Sequence, residues 1–186
     1  MKRTVVVAPV LALAVAAAIA VAGEIAGVQM AQTETVEGKA LKLNGMGLRT
    51  KFIVKVYVLG LYLEEPSKDP AAILASDQVK SMRMAFVRGV AGPKISETIA
   101  EGFERNSKAQ IPALKARLDK LAAMIPDVVS GDLVILTYVP GKGTMVSAKG
   151  ADRGVIEGKD FADALFSVWL GADPVQGDLK KALLGG

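Results

Sequence analysis

The alternation of apolar and polar positions divides the chain from Thr33 onward into a readable series of elements. Lys39-Ala40-Leu41-Lys42-Leu43 alternates as a short strand, which the turn-forming stretch Asn44-Gly45-Met46-Gly47 is expected to stop. The longest β signal follows, Arg49 to Leu63, written RTKFIVKVYVLGLYL. Phe, Ile, Val and Tyr dominate it and both parities are largely apolar, which predicts one long central strand covered on two sides. Val79 to Arg88 reads as a further strand, with Met82, Met84 and Phe86 on one face and Arg83 and Ala85 on the other.

Helices are marked by their punctuation. Asp69-Pro70 supplies an N-cap and a first helical residue for a short helix through Ala75. Pro93 opens a second, which carries Ile95, Ile99 and Phe103 at helical spacing and ends near Lys108. A third runs from Pro112 to Met124 with Leu114, Leu118 and Leu121 on its apolar stripe, so the two form a hairpin. Leu133–Val139 and Gly143–Lys149 are strands joined by the turn Pro140-Gly141-Lys142-Gly143, and Arg153–Ile156 extends the meander. Asp160–Leu170 and Gly177–Leu184 close the chain as helices. No repeat, linker or low-complexity tract interrupts this order, so one domain is expected.

The N-terminus follows different rules. Lys2 and Arg3 precede an uncharged run from Thr4 to Ala22, rich in Ala and Val, interrupted by Pro9 and ending in small residues. This is the pattern of a secretory signal peptide over residues 1–22, cleaved after Ala22 or, as a second possibility, after Ala31. The working part is then residues 23–186, in the periplasm or otherwise exported, with no stable membrane span once the leader is removed.

Composition narrows the chemistry. The 23 Lys and Arg against 19 Asp and Glu give a formal charge of +4, of which Lys2 and Arg3 supply two. The remaining basic residues are interleaved with acidic ones, so no nucleic-acid partner is expected. The chain has no Cys and no His. That excludes disulfides, a thiol nucleophile, a Ser-His-Asp triad and imidazole or thiolate metal ligands, and no metal or cofactor is expected.

One segment carries a family resemblance. Gly45-Met46-Gly47-Leu48-Arg49, followed by a strand ending in Gly60-Leu61-Tyr62-Leu63-Glu64, resembles the G-x-G-x-R element and G-V-Y-L-E strand end of chalcone isomerases. More narrowly it is similar to the exported bacterial chalcone isomerase-like branch, and the element order agrees from about Glu34 to Leu184. The resemblance implies an α+β fold, an open-faced β-sandwich with a large antiparallel sheet packed against a layer of helices and a ligand cleft between them. True isomerases close an enone with an Arg, a Thr, a Tyr, a Lys and an Asn. Here the Arg is Arg49, the Thr position falls on Tyr57, and the helix trio falls on Ile95, Thr98 and Gly102. A hydroxyl near the end of the penultimate helix is met by Ser167. No catalytic residue is therefore assigned.

An Arg and Tyr at those two positions resemble the fatty-acid-binding members, in which the pair holds a carboxylate at the end of an apolar cleft. Guanidinium suits that task, since its planar fork can grip a carboxylate through two parallel bonds. Lys51 and Lys55 share parity with Arg49 and could enlarge an anion site. Along a straight strand, however, eight residues span about 26 Å. Arg49 and Tyr57 can meet one carboxylate only if the chain bends or bulges between them, and Tyr62, of opposite parity, is the reserve partner. The resulting expectation is non-catalytic binding of a fatty acid or similar amphipathic anion by Arg49, Tyr57, Ser167 or Tyr62. An intramolecular lyase or isomerase of the chalcone isomerase type, and a structural or interaction protein of the cell envelope, are the alternatives.

Overall fold

A computed structural model describes residues 21–186, so the expected leader, except its last two residues, lies outside the described residues. The chain forms strands β1 (Val21–Ile25), β2 (Val28–Ala31), β3 (Thr33–Val36), β4 (Lys39–Lys51) and β5 (Val54–Leu63), then helix α1 (Pro70–Ala75) and β6 (Lys80–Phe86). Helices α2 (Gly92–Asn106) and α3 (Ile111–Met124) follow, then β7 (Leu133–Val139), β8 (Gly143–Ala148), β9 (Ala151–Ile156), α4 (Lys159–Leu170) and α5 (Gly177–Leu183). Strands β3 to β9 make one antiparallel seven-stranded sheet in sequence order, and β1 and β2 pair separately. The fold is α+β, as the resemblance implied.

The sheet has two unequal faces. Tyr57, Leu59, Leu61 and Leu63 of β5, with Met82, Met84 and Phe86 of β6, point to the helical side. They pack there against Ile99 and Phe103 of α2 and Phe161, Leu165 and Trp169 of α4. Side chains alternate along a strand, so the intervening Val58, Tyr62 and Ala85 form a smaller cluster on the opposite face. The β1–β2 hairpin covers part of that face. Its Met30 is seated so close over Gly60 that a Cβ there would meet the Met30 sulfur at 2.3 Å.

Two expectations about the first half are corrected. The run Arg49–Leu63 is not one strand: it turns at Phe52-Ile53 and folds back as the β4–β5 hairpin, with Lys51 opposite Val54. Hydrophobic content alone cannot locate such a turn, and Phe52 makes it with a positive φ of 56°, a conformation normally left to Gly or Asn. Conversely, Asn44-Gly45-Met46-Gly47 is not a turn, because β4 runs through it. Its residues serve tertiary contacts instead. Asn44 Nδ2 donates to the Ser67 and Leu183 carbonyls at 3.0 and 2.8 Å, while a Cβ on Gly45 would lie 2.2 Å from the Ala182 carbonyl oxygen. The two glycines are the bed on which α5 rests.

The helices start close to their sequence signals. Asp69 caps α1 by accepting from Ala71 N and Ala72 N, and Pro sits in the first turn of α1, α2 and α3. No helix among the described residues is long and apolar enough to cross a membrane.

Candidate functional site

Hairpin β4–β5 brings together what the linear spacing had kept apart. Arg49 and Tyr57 are direct cross-strand partners. Residues opposite each other in an antiparallel pair project to the same face about 5 Å apart, so no 26 Å gap has to be bridged. Gly45 and Gly47 share that face, pairing with Leu61 and Leu59, and the Gly-x-Gly-x-Arg element thus ends with its Arg beside the docked α5.

Arg49 is held from below. Its Nη1 donates to the Thr50 carbonyl and, at 3.2 Å, to Oε1 of Gln176 at the N-cap of α5. The same Oε1 accepts from Thr50 N at 2.9 Å, and Gln176 Nε2 donates to the Leu48 carbonyl at 3.3 Å. Nε and Nη2 make no further hydrogen bond of normal geometry among the described residues, and the guanidinium stands near enough to the Tyr57 hydroxyl to act on it by charge and by hydrogen bonding, so this edge of the fork faces the same point as the phenol.

Tyr57 is 6% exposed, with its ring edge-on to Phe86 at 5.4 Å between centroids. The hydroxyl accepts from Trp169 Nε1 at 2.9 Å. It makes no hydrogen bond as donor among the described residues, so its proton is available. Burial pushes the phenol above its ordinary pKa, with the Trp169 bond and then the charge and hydrogen bonding of Arg49 opposing the shift. The hydroxyl therefore stays protonated and able to donate at neutral pH.

These groups stand at one end of a cleft of about 420 Å³ between the sheet and α2. Tyr57, Met84, Phe86 and Trp169 form its floor, and Ile95, Thr98 and Ile99 of α2 form a wall. Arg49, Lys51, Arg88 and Lys94 also line it, and no carboxylate does. Lys94 is paired with Glu97 at 2.6 Å, whereas Arg49, Lys51 and Arg88 have no ion-pair partner among the described residues. A greasy hollow with one cationic end suits an amphipathic anion. Among the described residues there is no group of three or more acidic side chains placed to hold a metal ion.

The remaining expected site residues lie elsewhere. Tyr62 is on the opposite face, where its hydroxyl donates to the Ala31 carbonyl at 2.9 Å, so it is not the partner of Arg49. Ser167 is buried, and its Oγ donates to the Ala164 carbonyl of its own helix at 2.6 Å, away from the cleft lining. Ile95 and Thr98 do face the cleft, but Gly102 faces Val168, whose methyl groups would stand 2.6–2.7 Å from a Cβ added there. Trp169 donates to Tyr57 and Gln176 holds Arg49, and neither was among the expected site residues.

The family is shown by comparison with known proteins. A family model described as chalcone isomerase-like matches residues 22–185, and the chain belongs to that family. Among solved structures it is similar to the crystal structure of a fatty-acid binding protein from Arabidopsis thaliana, with a TM-score of 0.68 at 14% identity. The match covers 85% of this chain and 92% of the plant protein, and at that identity it establishes the shared fold. No curated protein matches the chain.

Proposed function

We propose that the protein is a non-catalytic binder of a fatty acid or a similar amphipathic anion, acting outside the cytoplasm. The carrying observation is the pairing of Arg49 with Tyr57 at the end of the cleft, with one guanidinium edge facing the same point as the phenol. The carboxylate accepts two parallel bonds from Nε and Nη2 of Arg49 and a third from Tyr57, and the acyl chain lies along Met84, Phe86, Ile95 and Ile99. A volume of about 420 Å³ falls within the roughly 300–1,000 Å³ of small-molecule sites. The fatty-acid binding protein of the same fold supports this reading. With Ile95 and Thr98 on the helix wall, the cleft has little with which to activate an enone.

The test is fatty-acid titration of the purified protein, with native mass spectrometry of what co-purifies from its own cells. Arg49→Gln should weaken binding about thirtyfold, the equivalent of about 2 kcal/mol for charge-assisted hydrogen bonds. An unchanged affinity in that variant, together with an empty protein, would refute the assignment.

Export makes a second expectation. The β1–β2 hairpin contributes Met30 to the core of the outer face and the Ala31 carbonyl to Tyr62. Cleavage after Ala31 would discard both contacts, so the mature protein is expected to begin at Gly23. Intact mass and N-terminal sequencing of protein from the cell envelope check this, and a start at Gln32 or an uncut cytoplasmic protein contradicts it.

A further inference from the structure

Among the described residues, the large hydrophobic side chains that remain well exposed are Phe52 at 93%, Ile53 at 95%, Val54 at 37% and Val129 at 59%. They are not scattered. Phe52, Ile53 and Val54 form the tip of the β4–β5 hairpin, and Val129 lies in the loop ahead of β7. That loop is tied to the same end of the sheet by the Val90–Val128 bridge and by Gly131 N donating to the Phe86 carbonyl. The mouth of the cleft opens here, with Lys51, Phe52, Arg88 and Gly89 on its rim.

Ile53 touches no part of the cleft, and Phe52 and Val54 only border its mouth. Phe52 holds a positive φ, a conformation that costs an aromatic residue and that Gly would adopt freely, and its ring is in water. Isolated exposed apolar residues are ordinary, but three in a row on a projecting turn are not. Their surroundings are cationic. Lys51 and Lys55 flank the tip and Arg88 stands on the facing rim, all exposed and without an ion-pair partner among the described residues. Of the acidic groups at this end, Glu97 pairs with Lys94 and Asp132 with Lys149, while Asp127 accepts from Gly92 N and keeps its charge, one against the three cations.

We propose that this end of the molecule docks on an anionic lipid bilayer, with Phe52, Ile53 and Val54 entering the interface and Lys51, Lys55 and Arg88 resting on the headgroups. Apolar side chains bordered by unpaired cations match the two layers of such a surface, acyl boundary below and negative charge above. Docking in this orientation sets the cleft mouth on the lipid. The proposal goes beyond ligand binding and stands without it. A folded partner protein or a second copy of the chain would be the competing occupant of the tip.

The test is binding to vesicles of phosphatidylcholine with and without phosphatidylglycerol. Affinity should be higher on the anionic vesicles, by about fivefold per engaged cation, and should fall with salt. Ile53 is not on the cleft lining, and Ile53→Asp should reduce vesicle affinity at least about tenfold while fatty-acid affinity in vesicle-free solution is unchanged. Because the chain has no cysteine, Ile53→Cys carries a single environment-sensitive dye, which should shift to the blue on anionic vesicles. The same dye on Glu65→Cys, exposed just beyond the far end of β5, should not shift. Equal binding to both vesicle types, a silent dye at position 53, or a vesicle-free dimer that Ile53→Asp dissociates would each overturn the proposal. Ligand binding kept with docking lost defeats this inference alone, and docking kept with ligand binding lost defeats only the function proposed above.

Discussion

Replacing Lys80 with alanine is expected to destabilise the protein by about 3–5 kcal/mol, read as a lower urea midpoint at unchanged slope. Lys80 is fully buried, on the helical side of β6. Its ammonium donates to the carbonyls of Ile73, Leu74 and Ser76 at 2.9, 3.1 and 3.0 Å, closing the C-terminal end of α1. It also stands 3.7 Å from Asp163 Oδ1, an oxygen without a hydrogen-bond partner, and 5.5 and 5.7 Å from the rings of Tyr138 and Phe166. Removing it orphans buried carbonyls, leaves Asp163 with Lys159 as its one counter-charge and opens a hole. Lys80→Met, which keeps the volume, should recover a substantial part of the loss. The pH dependence separates charge from packing. Burial pushes Lys80 down to about 8, with Asp163 opposing. Below about pH 8 the folded and unfolded chains both hold the proton and the burial penalty is carried in full. Between about pH 8 and the ordinary lysine value the unfolded chain keeps a proton that the folded chain has released, so the penalty is relieved as pH rises. The wild type should therefore gain stability relative to Lys80→Met across that window. Parallel curves would show that folding does not lower the Lys80 pKa.

Lys80 also illustrates where the sequence could be read. It has the inward parity of Met82, Met84 and Phe86, and a charge at an inward position is a signal that periodicity carries, although not what satisfies it. The helices were legible because Asp69, Pro93 and Pro112 mark helix starts by local chemistry. The β7–β8 hairpin was legible for the same reason, with Gly141 and Gly143 both at positive φ. The β4–β5 turn was not, since Thr50-Lys51-Phe52-Ile53-Val54 contains no turn-forming residue and its apolar content argues for unbroken strand. That single misreading set the apparent distance between Arg49 and Tyr57. Arg49 itself came from a family resemblance, not from periodicity. Gln176 and Trp169 lie 127 and 112 residues from the partners they hold, and only the docking of α4 and α5 brings them there.

The docking of α5 makes the final prediction. Gly45→Ala is expected to cost about 3 kcal/mol, at the upper end for an added methyl group. A Cβ at Gly45 would meet the carbonyl oxygens of Ala182 and Leu183 at 2.2 and 2.7 Å, and backbone atoms of a packed helix cannot rotate away as a side chain can. The helix must shift, and the cost is limited by what its docking contributes, chiefly the burial of Leu179 and Leu183 at about 1.5–3 kcal/mol each. Displacement also reaches the site, because Gln176 at the start of α5 holds Arg49, Thr50 and the Leu48 carbonyl. Gly45→Ala should therefore weaken fatty-acid binding under conditions where the protein is still folded, by less than Arg49→Gln does. Gly177→Ala is the control: it adds a methyl group to the same helix with nothing within 4 Å, and should be neutral or slightly stabilising. A Gly45→Ala protein of wild-type stability would mean that α5 is not seated on β4, and the support of Arg49 through Gln176 would fall with it.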